Sequence, residues 1–154
     1  MLSEGDPVPD VKLETVDGKA ISPTDFSGQK LVLYFYPKDD TTGCTSEAQA
    51  FSALAGAFEE ANAWVLGVSK DDSKKHRKFI DKYDLKVALA TDVDGSACEA
   101  FGTWVEKSMY GRKYMGIDRA TFLIDRDGVV KKVWRKVKIT GHAEAVLEAA
   151  RALP

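Results

Sequence analysis

Hydrophobic residues in this chain fall into two alternating patterns. Leu31-Val32-Leu33-Tyr34-Phe35-Tyr36 is an unbroken apolar and aromatic run, which predicts a central strand buried on both faces. Ala63 to Val68 predicts a second buried strand and Val87 to Ala90 a short third one. Between them the spacing becomes helical. Ala48, Phe51, Ala55 and Phe58 recur three or four apart and predict one long helix from Cys44 to near Ala61. His76, Phe79, Ile80 and Tyr83 form the stripe of a second helix, which follows the polar stretch Ser69 to Ser73. Asp92-Val93-Asp94-Gly95 reads as a turn before a short helix through Phe101. Residues 102 to 118 carry Gly102, Gly111 and Gly116 and predict loops with a little strand. Arg119 to Asp125 and Val129 to Val137 predict a hairpin around Arg126-Asp127-Gly128, and His142 to Leu153 a terminal helix. At the front of the chain, Val11 to Ile21 predicts two short strands around Asp17-Gly18, and Ser22-Pro23 opens a helical turn through Phe26.

Strands and helices alternate first and an antiparallel hairpin comes late. That order predicts an α/β fold, a mixed central sheet flanked by helices with an N-terminal β-hairpin. No repeat, low-complexity tract or linker divides the 154 residues, so residues 1–154 are read as one domain, and 44% hydrophobic residues suffice for its core. The formal net charge of −2 gives no electrostatic support to a nucleic-acid or membrane-surface role. No apolar run approaches the ~20 residues that span a bilayer. The first residues lack the basic start and apolar stretch of a secretory leader, and two cysteines are too few for a secreted disulfide scaffold. A cytoplasmic location is the expectation.

Chemistry concentrates in Pro37-Lys38-Asp39-Asp40-Thr41-Thr42-Gly43-Cys44-Thr45-Ser46-Glu47, a polar turn between the central strand and the long helix. On this reading Cys44 stands in the first helical turn. Free backbone N–H groups and the positive end of the helix dipole favour a thiolate there, and the thiolate is the nucleophilic form. The bland alternative is a buried, inert cysteine packed as a small hydrophobe; the polar neighbours Thr41, Thr42, Thr45, Ser46 and Glu47 count against it. Strand, turn and cysteine at a helix start is also the thioredoxin layout, which needs Cys-x-x-Cys. Here Thr41 takes the first position, and no proline precedes the late strand. A hydroxyl cannot close a disulfide, but it can hydrogen-bond a small oxygen substrate.

Pro37-x-x-x-Thr41-x-x-Cys44 matches the peroxiredoxin active-site motif in its three fixed positions. The surrounding text, with Asp92 to Gly95, Gly116 to Asp125 and Val133 to Val137, resembles the bacterioferritin-comigratory (PrxQ) branch of that family, in order, from about residue 3 to 150. The resemblance implies a thioredoxin-like peroxiredoxin fold and a thiol-dependent peroxidase reducing hydrogen peroxide and organic hydroperoxides, with no metal, flavin or haem. It implies that Cys44 is the peroxidatic nucleophile, that Thr41 holds the peroxide, that Pro37 shields the pocket and shapes its loop, and that Arg119 reaches the site from a distant strand. A cation and hydroxyl so placed would bind the negative charge that spreads over the breaking O–O bond. Thr42 and Asp118 depart from the branch, which often has Pro and His there. The first loosens the loop, and the second sets an acid beside Arg119 that could compete for it. Glu47 reads equally as an orienting group or a solvated first-turn acid.

Branch members often carry a resolving cysteine five residues after the first, where this chain has Gln49, or in the following helix, where residues 72 to 83 have none. The remaining thiol is Cys98. It is read either as a packing residue or as a resolver reached by local unfolding, which needs Cα atoms within ~7 Å. Otherwise thioredoxin, glutaredoxin or glutathione completes the cycle, and the chain is expected to act as a monomer. Two other readings stay open: a peroxide sensor that signals through its sulfenic acid, and a general thiol–disulfide oxidoreductase. Two histidines, His76 and His142, are too few for a zinc site. His76 is read as structural and His142 as a cap or surface residue. Lys131, Lys132, Arg135, Lys136 and Lys138 read as a solvated face, and Trp64, Trp104 and Trp134 as core or pocket residues.

Overall fold

A computed structural model describes all 154 residues. Its centre is the apolar run: strand β3 (Lys30–Phe35) is buried at every position. A strand with no solvent-facing side must have neighbours on both edges and layers on both faces. β3 pairs in parallel with β4 (Ala63–Ser69), which pairs in parallel with β5 (Ala88–Thr91). On its other edge β3 pairs antiparallel with β8 (Ala120–Ile124), and β8 with β9 (Val130–Trp134). The short strands β1 (Leu13–Thr15) and β2 (Ala20–Ile21) form the predicted N-terminal hairpin and add to β5, giving the order β2-β1-β5-β4-β3-β8-β9.

Alternation along β3 divides the interior into two cores. Val32, Tyr34 and Tyr36 face helices α1 (Thr42–Ala53), α2 (Ala55–Glu60), α3 (Ser73–Tyr83) and α5 (His142–Ala152). Leu31, Leu33 and Phe35 face the opposite way, onto α4 (Ser96–Phe101) and its neighbours. Tyr34 stacks on Phe51 of α1 with ring centroids 4.7 Å apart. That packing seats α1 on the sheet through its third turn, two turns beyond Cys44.

Several expectations need correction. The long helix from Cys44 is two helices, broken at Leu54, whose N–H turns back to Phe51 O in a 3-10 step. Residues 102 to 118 are mostly strand: β6 (Trp104–Met109) and β7 (Arg112–Ile117) form an antiparallel ribbon outside the main sheet. Its turn, Tyr110-Gly111, has both residues at positive φ, the geometry of a tight hairpin, with an unusual tyrosine in the first place. His142 is buried at the start of α5, its Nε2 2.8 Å from Thr121 Oγ1, and is not a surface residue. Trp64, read as a core or pocket residue, is half exposed and lines a surface pocket rather than the core. Arg135 leaves the solvated face to which its lysine neighbours belong. Its guanidinium donates to the carbonyls of Leu2, Phe101 and Gly102 and lies over the Phe122 ring.

Candidate active site

The polar segment after β3 forms a loop that returns the chain into α1. Thr41 is the N-cap residue in an extended conformation, so helical geometry starts at Thr42 and Cys44 is the third residue of the helix. The Thr41 hydroxyl does not cap the helix. It donates to Lys38 O at 2.8 Å, which commits its proton and leaves its lone pairs facing outward as acceptors. Thr41 and Pro37 are exposed, and the Cys44 side chain is buried, with 2% of its surface accessible.

Arg119 reaches this thiol because of strand pairing. β8 runs antiparallel to β3 with Phe35 opposite Ala120, so the residue before Ala120 lies beside the loop that follows β3. Arg119 Nη2 stands 3.4 Å from Cys44 Sγ, and its Nη1 donates to Glu47 Oε1 at 2.7 Å. The guanidinium thus joins two residues of one helical turn, Cys44 and Glu47, which lie three apart on the same face. Gly43 makes room for it: a Cβ there would meet Nη2 at 3.1 Å and Ile139 Cδ1 at 3.3 Å.

Glu47 is 1% exposed, and its second oxygen, Oε2, is buried without a hydrogen-bond partner. Burial pushes its carboxyl up to about 7, against the pull of Arg119 in the other direction. Burial opposes the charge on Arg119 as well, but its neighbours Glu47 and Cys44 together outweigh burial and raise the guanidinium above its ordinary value. The acid that engages Arg119 is therefore Glu47. Asp118, expected to compete, instead accepts from Lys136 N at 3.4 Å. The signal for Glu47 was its place one turn after Cys44; its complete burial was not visible in a sequence of polar neighbours.

Cys98 is separated from this group. It belongs to the core on the α4 face of the sheet, and Cys44 to the core on the α1 face, so the sheet lies between them. Cys98 is fully buried. Burial first, and then the nearby Asp92 carboxylate, which accepts from the Cys98 backbone N–H at 2.9 Å, push its thiol up to about 12. Both cysteines are free thiols. His76 is also fully buried and bonds to Asp39 of the site loop, as its structural reading requires. No cluster of His, Cys, Asp and Glu is arranged to hold a metal ion, and no helix is long and apolar enough to cross a membrane.

A thiol at a helix start, touched by a guanidinium that is itself oriented by a buried carboxylate, is built to stabilise negative charge on and near sulfur. Comparison with known proteins agrees. Residues 4–133 match the AhpC/TSA family. The chain is 42% identical over 147 residues to peroxiredoxin Bcp of Bacillus subtilis, covering 96% of this chain and 94% of the relative. Its identity to peroxiredoxin Bcp of Escherichia coli is 40% over 146 residues, 95% of this chain and 94% of that one. Among solved structures, a Cys-to-Ser mutant of Xylella fastidiosa PrxQ superposes with a TM-score of 0.93 at 39% identity, covering 99% and 97% of the two chains. The bacterioferritin comigratory protein of Xanthomonas campestris, studied for its alkyl peroxide reduction activity, superposes at 0.88 with 41% identity over 96% and 98%. The chain belongs to the AhpC/TSA family and is a peroxiredoxin of the Bcp/PrxQ group.

Proposed function

We propose that this protein reduces hydrogen peroxide and organic hydroperoxides through Cys44 alone and relies on an external thiol to complete each cycle. Thiol-dependent peroxidase activity is that of its family. The observation that carries the assignment to Cys44 is the contact of its sulfur with the Arg119 guanidinium. The Cys44 thiolate attacks one peroxide oxygen, the O–O bond breaks, and the leaving oxygen takes a proton to become water or an alcohol, leaving Cys44 as a sulfenic acid. Arg119 stabilises the thiolate and then the charge on the departing oxygen, and the free lone pairs of the Thr41 hydroxyl accept from the peroxide O–H. Pro37 sets the start of the loop that carries Thr41.

Burial of Cys98 behind the sheet supports a one-cysteine cycle over an internal disulfide. A thiol of the thioredoxin, glutaredoxin or glutathione class then attacks the sulfenic acid, releasing water and forming a mixed disulfide. A second thiol cleaves it. The same reading takes a monomer as the acting unit, since the short contacts of Arg119 with Cys44 and Glu47 form within one fold and need no second copy. The free thiols fit the cytoplasm, where such donors are kept reduced. Continuous peroxide consumption with dithiothreitol or thioredoxin tests the reading. Wild type turns over many equivalents and Cys44→Ser none; a wild type that stops after one equivalent acts as a sensor, and activity in Cys44→Ser overturns the assignment.

A further inference from the structure

The loop between β3 and Cys44 is fastened to the side of α3 by a buried Asp–His hydrogen bond. His76 is 0% exposed and the Asp39 side chain 5%. His76 Nδ1 stands 2.7 Å from Asp39 Oδ2, and its Nε2 stands 3.0 Å from the carbonyl oxygen of Ala90. The ring thus bridges the site loop and β5, one nitrogen facing the Asp39 carboxyl group and the other the Ala90 carbonyl. The other Asp39 oxygen accepts from Tyr36 OH at 2.6 Å, and the Asp39 backbone N–H donates to Asp71 Oδ2 at 2.8 Å. Asp40, held at φ +60, accepts from Tyr83 OH and from Lys82 Nζ, again on α3. The loop that presents Thr41 and starts the Cys44 helix is thus held at two consecutive residues.

Taking Cys44 as the peroxide-reactive thiolate, the residue is only 2% exposed, too little for a thiol carried on a larger molecule to reach its sulfur while the loop is closed. The loop must open between the two half-reactions. We propose that the Asp39–His76 pair is the latch that sets this balance, with His76 a positioning residue that acts on Cys44 through Asp39. With the latch closed, Cys44 lies against Arg119 and reacts with peroxide. With it open, the oxidised sulfur meets the reductant: the Cys44 S–OH bond breaks, the incoming thiolate sulfur bonds to Cys44, and the hydroxyl leaves as water after taking a proton.

The full-length variants Asp39→Asn and His76→Gln test this, with Arg77→Ala as control, since Arg77 pairs with exposed Asp17 on another side of α3. Oxidation of the reduced protein by hydrogen peroxide and capture of the sulfenic acid by glutathione are timed separately. The latch predicts opposite changes: oxidation at least about tenfold slower and capture at least about threefold faster, with amide exchange accelerated in residues 37–48. Asp39→Asn leaves no core cavity and carries the test alone should His76→Gln fail to fold. In the double variant the two effects must not add, because each breaks the same pair. Rates that fall together, rates within about twofold of wild type in a folded Asp39→Asn protein, or additive effects overturn the latch. Peroxide consumption by Cys44→Ser would instead overturn the assignment of Cys44, a distinct outcome.

Discussion

Arg119 and Cys44 are 75 residues apart in sequence and 3.4 Å apart at Nη2 and Sγ. Antiparallel pairing of β8 with β3 creates this contact, and the guanidinium stabilises charge in both the thiolate and the transition state. Removing it in Arg119→Ala should slow Cys44 oxidation by about 10²–10³-fold, the usual loss for a group that binds developing charge. Arg119→Lys should recover only part, because one ammonium cannot serve Cys44 and Glu47 at the same time. Stopped-flow oxidation by hydrogen peroxide reads both values. Equal rates in wild type and Arg119→Ala would mean that the contact serves packing only.

Cys98→Ala should keep thiol-dependent turnover within about twofold of wild type, since the thiol lies across the sheet from the reaction. Loss of the buried sulfur should cost about 1 kcal/mol of stability through the small cavity left. Peroxide-treated wild type should bind a sulfenic-acid trap at Cys44 and show no internal disulfide by mass spectrometry. A Cys44–Cys98 disulfide would require α4 to leave the core, and its detection would refute the one-cysteine cycle.

Most of the architecture was legible because β3, β4 and the helix stripes carry strong periodic signals. The break at Leu54 was hidden, since α1 and α2 continue one apolar face and only a local 3-10 step divides them. The β6–β7 ribbon was hidden because it lies off the main sheet with exposed Met109, Tyr110, Tyr114 and Met115, which blurs any alternation. At the site, Cys44 and Thr41 were visible from their spacing. Arg119 depended on resemblance, because nothing local marks which arginine strand pairing will bring to the loop. Glu47 was undecided for the same reason: its burial is imposed by α1 packing on Tyr34 and by Arg119. His142 was misread because a helix-start position does not reveal that Phe51 and Trp134 close around the ring.

Gly67 on β4 lies against Tyr34, and a Cβ there would come within 2.6 Å of the Tyr34 ring and 2.8 Å of Leu89 Cδ2. These neighbours are a fully buried aromatic and a core leucine with little freedom to move. Gly67→Ala should therefore destabilise by about 1–3 kcal/mol, the usual cost of overpacking. Because Tyr34 stacks on Phe51 of α1, the same change should slow Cys44 oxidation by disturbing the seat of that helix. Thermal unfolding and stopped-flow oxidation check the two effects. An unchanged melting temperature would show that Tyr34 can yield.

Glu47 and His142 should impose opposite pH dependences on stability. His142 is pushed down from 6.5 to about 4, by burial first and by Arg119 second. Between those values the unfolded chain binds the extra proton, so this contribution is complete above about pH 6.5 and is lost as pH falls to about 4. Glu47 is pushed up from 4.5 to about 7, so between those values the folded chain holds the extra proton. Its effect has the other sign: stability falls as pH rises from about 4.5 to 7. Each amounts to about 2 kcal/mol at most, once partial solvent access to the His142 ring and mutual coupling with Arg119 are discounted. In wild type the two slopes offset each other over their shared range. Glu47→Gln should unmask the rising limb and be more stable than wild type near pH 8, while oxidising Cys44 more slowly because Arg119 loses its charged partner. His142→Gln should unmask the falling limb. Urea unfolding of the three proteins from about pH 4 to pH 8, compared as differences from wild type, cancels the other titrating groups. Parallel curves for wild type and Glu47→Gln would show that the Glu47 carboxylate is ionised throughout, with Arg119 outweighing its burial.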